Sequence, residues 1–93
     1  PVLRGLDVEA RLTLCNLATE LGAKMSMVAP DDTTFAYLRG RPFAPAGSAF
    51  DQAVADWRAL AGDEDAVFDR EEVLDLTDIT PTVTWGTSPD QAI

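Results

Sequence analysis

The chain has no histidine, one cysteine and no long apolar run. Without histidine it lacks the usual general base near neutral pH and nearly all common zinc sites. A lone Cys15 cannot form an internal disulfide, which fits a reducing compartment. No stretch approaches the roughly 20 apolar residues of a membrane span, and no signal-like segment opens the chain. We therefore expect a soluble protein of the cytoplasm.

Basic residues are also scarce, with seven against sixteen acidic residues and a net charge of −9. Such a charge repels phosphate backbones and anionic lipid headgroups. We therefore expect neither nucleic acid nor a membrane as a partner. An anionic substrate would need positive groups supplied from outside this chain.

What the chain does contain is the composition of a globular protein. It has 93 residues, of which 46% are hydrophobic. That length suffices for one domain with a modest core. Because the chain starts at Pro1 and not at a methionine, we predict that residues 1–93 form one domain excised from a longer, multidomain chain.

The first predicted helix covers residues 8–21. Asp7 is a suitable N-cap, and Gly22 can end the helix in a left-handed conformation. Its predicted packing face has leucine and alanine at helical spacing; these residues are Leu14, Leu17, Ala18 and Leu21. A polar stripe of Thr13, Asn16 and Glu20 lies on another side of the helix.

Further along, Pro30-Asp31-Asp32 predicts the start of a short helix, and a proline-rich loop follows at 41–47. Residues 49–61 have the apolar periodicity of an amphipathic helix, with Ser48 and Asp51 resembling a capping box. Phe50 and Trp57 are its predicted core anchors.

Three segments have the composition of strands. Residues 24–29 are mostly apolar, residues 67–76 alternate irregularly, and residues 82–85 are β-branched and aromatic. The element order predicts an α/β fold, in which helices cover a small mixed sheet of about three strands.

Residue type and spacing alone leave the functional site open. A polar helical stripe is most often a solvated face, and Cys15 has no neighbouring cation to lower its pKa, so packing is its simplest role. The acidic residues at 63–72 lack the spacing of a calcium site. We predict no metal site within these residues.

Three stretches, at 13–23, 28–45 and 83–89, nevertheless closely resemble the aconitase family, in its leucine-pathway branch. They agree in order and approximate spacing over nearly the whole chain. The resemblance implies an aconitase-type middle domain within the large subunit of a hydro-lyase.

It further implies a [4Fe–4S] cluster that activates a small carboxylic-acid substrate. In the family, the three cluster cysteines lie later in the large subunit, and a small subunit supplies the base and much of the substrate recognition. Those parts and the remaining large-subunit domains are the implied partners. The isolated chain should bind no cluster and be inactive, and Cys15 should not be a ligand.

By the same match, Asn16 lies near the cluster, and Glu20 is the catalytic residue that points at the substrate hydroxyl or water. Spacing of i, i+4 would place both on one helix face. The sequence departs from the commonest pattern at Thr19, Asp32 and residues 24–27. A paralogue acting on homoaconitate, citraconate or a methylated malate stays open, as does a free-standing acidic interaction domain.

Overall fold

The computed structural model describes residues 2–93, and its regular structure is helical. The four α-helices of these residues are α1 (Val2–Gly5), α2 (Val8–Leu17), α3 (Asp32–Leu38) and α4 (Ser48–Arg58). Short 3₁₀ turns occupy Ala18–Leu21 and Pro89–Gln91. Within the described residues, no helix is both long and apolar enough to cross a membrane.

Helix α2 begins at the predicted residue, and the 3₁₀ turn that continues it ends at the predicted glycine. The Asp7 side chain accepts a hydrogen bond from the Ala10 amide at 2.8 Å, which satisfies one of the unpaired donors of the first turn. At the other end, Gly22 has φ 88°, in the left-handed region that glycine adopts without steric cost. The prediction of a helix over 8–21 is confirmed, with its last turn tightened into a 3₁₀ turn.

An aromatic cluster of Phe35, Phe50 and Trp57 forms the core between α3 and α4. Phe35 is 4% exposed and Phe50 2% exposed. The Trp57 ring stacks on Phe35 at 6.1 Å between centroids and meets Phe50 edge-on at 5.9 Å. These are favourable aromatic geometries. The predicted anchoring roles of Phe50 and Trp57 on α4 are confirmed.

The start of α4 differs from the predicted capping box. Ser48 is already the first helical residue, and Gly47 takes the N-cap position without a side-chain hydrogen bond. The Gly47 carbonyl instead accepts from the amides of Phe50 and Asp51. After Arg58 the chain continues to Ala61 through i→i−3 hydrogen bonds, so the predicted end of the helix at 61 includes a tighter last turn.

The predicted α/β fold with a small mixed sheet is wrong for the described residues. Residues 24–29, 67–76 and 82–85 form no sheet. The strand-like pairing that is present joins Thr84 to Ala92, flanked by reciprocal Val83 and Ile93 hydrogen bonds of 3.2 and 2.8 Å. Strand propensity reflects packing against neighbouring strands, and a two-stranded pair alone is marginal. Extended segments without such neighbours therefore stay irregular.

The predicted packing face of α2 is also wrong in part. Leu14 and Leu17 are about half exposed, at 45% and 50%, and Leu21 is 88% exposed. Ala18 is partly covered. The described residues bring no apolar layer against these leucines, and they line an open groove instead.

Candidate functional site

The groove that contains Glu20 has a volume of about 680 Å³ and two walls. One wall is the end of α2 with the following 3₁₀ turn, and the other comes from residues 82–92. We call it the Glu20 groove; its lining residues are Leu14, Leu17, Ala18, Glu20, Leu21, Thr82, Val83, Thr84, Gly86, Thr87, Ser88, Pro89 and Ala92. The structure thus brings together two of the three stretches that carry the family resemblance.

Glu20 and Asn16 are both exposed, but they do not occupy equivalent positions. Glu20 lines the groove, whereas Asn16, in the last turn of α2, is not among the lining residues. The change from 3.6 to 3.0 residues per turn at Ala18 rotates Glu20 away from the simple i, i+4 alignment. The Thr19 hydroxyl donates to the Asn16 carbonyl at 3.0 Å across this turn.

The wall opposite Glu20 is a loop held by its own polar groups. The Thr84 hydroxyl oxygen lies 3.2 Å from both the amide and the carbonyl of Gly86, accepting from one and donating to the other. The Ser88 amide donates to the Gln91 side-chain oxygen at 3.1 Å. A Cβ at Gly86 would overlap the Gln91 amide, so glycine permits this close approach. Loop hydroxyls therefore share the groove with the Glu20 carboxylate.

Glu20 is the one ionisable side chain among the residues that line the groove. The wall around it is otherwise apolar or hydroxyl-bearing, and no arginine or lysine belongs to it. An anionic ligand placed beside Glu20 would be repelled unless cations came from outside the described residues.

The donor set of the chain does not fit a [4Fe–4S] cluster. Such clusters require several cysteine thiolates, whereas this chain has Cys15 alone, and that residue is half-buried. Among the described residues, no group of three or more histidine, cysteine, aspartate or glutamate side chains is arranged to hold a metal ion. Cluster ligands would have to come from other parts of a longer protein.

A second polar feature, at the opposite end of α2, is the ion pair of Arg11 with Asp31. Arg11 is 5% exposed, and its Nη1 and Nη2 atoms donate to the two Asp31 carboxylate oxygens at 2.7 and 3.0 Å. Its Nε donates to the Leu6 carbonyl at 3.0 Å and Nη2 to the Arg4 carbonyl at 3.2 Å. We call these groups the Arg11–Asp31 clamp.

Asp31 is also the N-cap of α3. Its Oδ1 accepts from the amides of Thr33 and Thr34 at 3.1 and 3.3 Å. The hydrogen bond from Arg11 lowers the pKa of Asp31 from 3.8 to about 2, helped by the Thr34 and Thr33 amides and opposed by burial. The same carboxylate hydrogen bond raises the pKa of Arg11, against a smaller opposing effect of burial. Both groups are charged at neutral pH.

Comparison with known proteins supports the sequence resemblance. The model of the aconitase family (aconitate hydratase) matches residues 1–93. The chain belongs to the aconitase family. It is 55% identical, over 91 residues, to the 3-isopropylmalate dehydratase large subunit 1 of Bradyrhizobium diazoefficiens. That match covers 98% of this chain but 19% of the relative's length. No solved structure matches the chain.

Family membership confirms the resemblance to the aconitase family, and the chain spans about a fifth of the length of the relative that it matches. Sequence reasoning did not find the Arg11–Asp31 clamp. Asp31 was predicted at a helix start, but its partner lies twenty residues away, and no local pattern marks such a pair. The position of residues 82–92 opposite Glu20 was equally invisible to spacing rules.

Proposed function

We propose that this chain is part of the large subunit of a [4Fe–4S] hydro-lyase that interconverts 2- and 3-isopropylmalate in leucine biosynthesis. The observation that carries the proposal is the 55% identity across 98% of the chain to a 3-isopropylmalate dehydratase large subunit. The placement of Glu20 in a groove shared with residues 82–92 supports it, because both walls come from motif stretches. Localisation in the cytoplasm stays a prediction.

In this proposal the chain is inactive by itself and contributes one wall of the site. The cluster, which supplies Lewis-acid chemistry when bound, would be held by cysteines elsewhere in the large subunit. The remaining large-subunit domains and the small subunit would be its partners. The cations that meet the carboxylic-acid substrate would come from those parts, since none lines the Glu20 groove.

Within that composite site, Glu20 would accept a hydrogen bond from the substrate hydroxyl or from the water that replaces it. A carboxylate in this position orients the departing water and can hold a proton at its oxygen. Asn16, one turn earlier, would help position the cluster through its side-chain amide. Both assignments follow from the family motif and are proposals.

The direct test is Glu20→Gln in the full-length, cluster-loaded enzyme. Glutamine keeps the size and one acceptor oxygen but removes the charge, so turnover should fall at least tenfold while the cluster absorbance is unchanged. Glu9→Gln is a matched control, because Glu9 is an exposed glutamate in the first turn of the same helix. Near-normal turnover of Glu20→Gln with an intact cluster would refute the catalytic assignment.

A second experiment separates the alternatives. The full reading frame should contain a downstream Cys…Cys-x-x-Cys set if the chain belongs to a cluster enzyme, whereas a free-standing acidic interaction domain would lack it. Assays of the complete enzyme with isopropylmalate, homoaconitate, citraconate and a methylated malate should show the highest kcat/KM for isopropylmalate. A preference for another of these acids would identify a paralogue and overturn the substrate assignment.

A further inference from the structure

The Arg11–Asp31 clamp lies away from the Glu20 groove, and the proposed chemistry does not use it. We infer that Arg11 and Asp31 are positioning residues, which fix the direction of α2 and thereby the location of Glu20. The inference rests on the proposed function of Glu20. It assigns a role to a buried ion pair whose net contribution to stability need not be large.

The first argument is that the clamp is directional. Arg11 uses three nitrogen atoms to reach four acceptors, two on Asp31 and two on the backbone of the segment before α2. A bidentate guanidinium–carboxylate pair fixes relative orientation as well as distance. Lysine has the same charge but cannot reproduce this planar arrangement.

The second argument is that, within the part of the chain that the structure describes, few other contacts fix α2. Its leucines are largely exposed, so apolar packing gives its orientation little support among the described residues. Asp31, in contrast, belongs to a fixed body. It caps α3, and α3 is anchored in the aromatic cluster by Phe35. The connection therefore runs from the core through α3 and Asp31 to Arg11, and along α2 to Glu20.

The third argument is one of leverage. Glu20 lies nine positions after Arg11, which is about 14 Å along a helix. A tilt of about 5° at the clamp would move Glu20 by about 1 Å at that distance. A displacement of about 1 Å in a reacting group can reduce the rate by up to about a hundredfold. Loss of the clamp should therefore reduce turnover without removing any group that touches substrate.

The test uses the full-length large subunit with its small subunit and a loaded cluster. Asp31→Asn keeps an oxygen that can cap α3 but loses the ion pair, and Arg11→Lys keeps the charge but loses the bidentate geometry. Each variant should lower kcat at least tenfold. Its KM should stay within about threefold of the parent value, and its cluster iron content should equal that of the parent enzyme. Should Asp31→Asn fail to assemble, the milder Arg11→Lys carries the same test.

The matched control is Asp32→Asn, which breaks a different aspartate–arginine ion pair at the next residue. Asp32 bonds to Arg58 on α4, and both side chains are exposed, at 82% and 57%. Exposed pairs contribute little, and this one does not hold α2. Asp32→Asn should keep kcat within twofold of the parent enzyme. An equal loss in both aspartate variants would mean a general effect on the fold and would overturn the inference.

Two readouts distinguish positioning from ordinary stabilisation. In a Glu20→Gln background, Arg11→Lys should cost less than a further twofold in kcat, because the clamp acts through Glu20. In the cluster-free large subunit, Asp31→Asn should speed amide hydrogen exchange at residues 12–21 at least tenfold, and Asp32→Asn should not.

Three outcomes would each refute the positioning role of the clamp. The first is a double variant whose loss of kcat equals the product of the two single losses, and the second is unchanged hydrogen exchange at residues 12–21. The third is a normal kcat for Arg11→Lys when Glu20→Gln is impaired. Normal turnover of Glu20→Gln alone would instead refute the proposed function. Because hydrogen exchange does not depend on catalysis, it tests in that case whether the clamp holds α2, so the two failures can be told apart.

Discussion

Replacement of Phe50 by alanine should remove most of the stability of the helical part of the chain. Phe50 is 2% exposed, meets Trp57 edge-on at 5.9 Å, and lies beneath the Arg39 guanidinium at 4.5 Å from the ring centroid. A buried phenylalanine covers about 150–250 Å², and Phe→Ala in a core costs about 3–5 kcal/mol. The free energy of unfolding of a chain of this length is about 5–14 kcal/mol. Because few residues of this chain are buried, we expect its value to lie near the low end of that range.

Phe43 provides a control of the same residue type. It is fully exposed, in the proline-rich loop, with a backbone φ of 68°. Since neither phenylalanine nor alanine is favoured at that φ, Phe43→Ala should change the free energy of unfolding by less than about 0.5 kcal/mol. The two substitutions delete the same atoms and differ in burial.

The assay is urea unfolding of the 93-residue chain by far-UV circular dichroism and by Trp57 fluorescence, in a Trp85→Phe background that removes the exposed second tryptophan. Phe50→Ala should lower the urea midpoint strongly or leave the chain unfolded without urea, and Phe50→Leu should fall between it and the parent. Equal midpoints for Phe50→Ala and Phe43→Ala would refute the assignment of the core.

Three further predictions concern charge, a helix end and the cofactor. Because the pKa of Asp31 falls from 3.8 to about 2 on folding, its ionised form stabilises the fold fully above about pH 4 and loses this effect as the pH drops towards 2. The stability gap between parent and Asp31→Asn should therefore narrow over that range in acid unfolding curves, and a constant gap would contradict it. Gly22→Ala, at φ 88°, should lower the free energy of unfolding in urea by about 1 kcal/mol. Gly62→Ala should not, because a Cβ there would meet no atom within 4 Å. Equal effects of the two substitutions would refute the role of Gly22 in ending the helical segment. Anaerobic reconstitution of the 93-residue chain with iron and sulfide should give no stoichiometric cluster, because Cys15 is its one thiol; a stoichiometric cluster would contradict the ligand assignment.

Local signals predicted the helices well, for physical reasons that lie within a few residues. Asp7 caps the start of α2 with its side chain, and Gly22 ends the following 3₁₀ turn with its positive φ. Phe50 and Trp57 reveal the buried face of α4 by their spacing. Strands depend on partner strands, whose distance along the chain is not fixed. Residues 82–85 have the composition of a strand, yet the pairing observed joins Thr84 to Ala92 and goes no further.

The candidate site also contains residues that the sequence revealed and residues that it did not. Glu20 and Asn16 were proposed from a motif of the aconitase family, to which the chain belongs, and not from residue type and spacing. The clamp was not found, because its geometry depends on two residues twenty positions apart whose identities are common at helix ends. A family motif thus marks candidate site residues more readily than it marks a long-range ion pair.

The net charge of the chain and the lining of the Glu20 groove lead to the same conclusion about anionic ligands. A net charge of −9 and a Glu20 groove without any basic lining residue are unfavourable for binding a dicarboxylate. They become reasonable if the chain supplies the Glu20 carboxylate and the Asn16 amide, with the cations and thiolates outside it. The chain covers 19% of its relative, so such groups could lie in the rest of a protein of that length. If the proposed function is right, this chain contributes Glu20 and Asn16 to the site, and we expect the Arg11–Asp31 clamp to fix the direction of the helix that carries them.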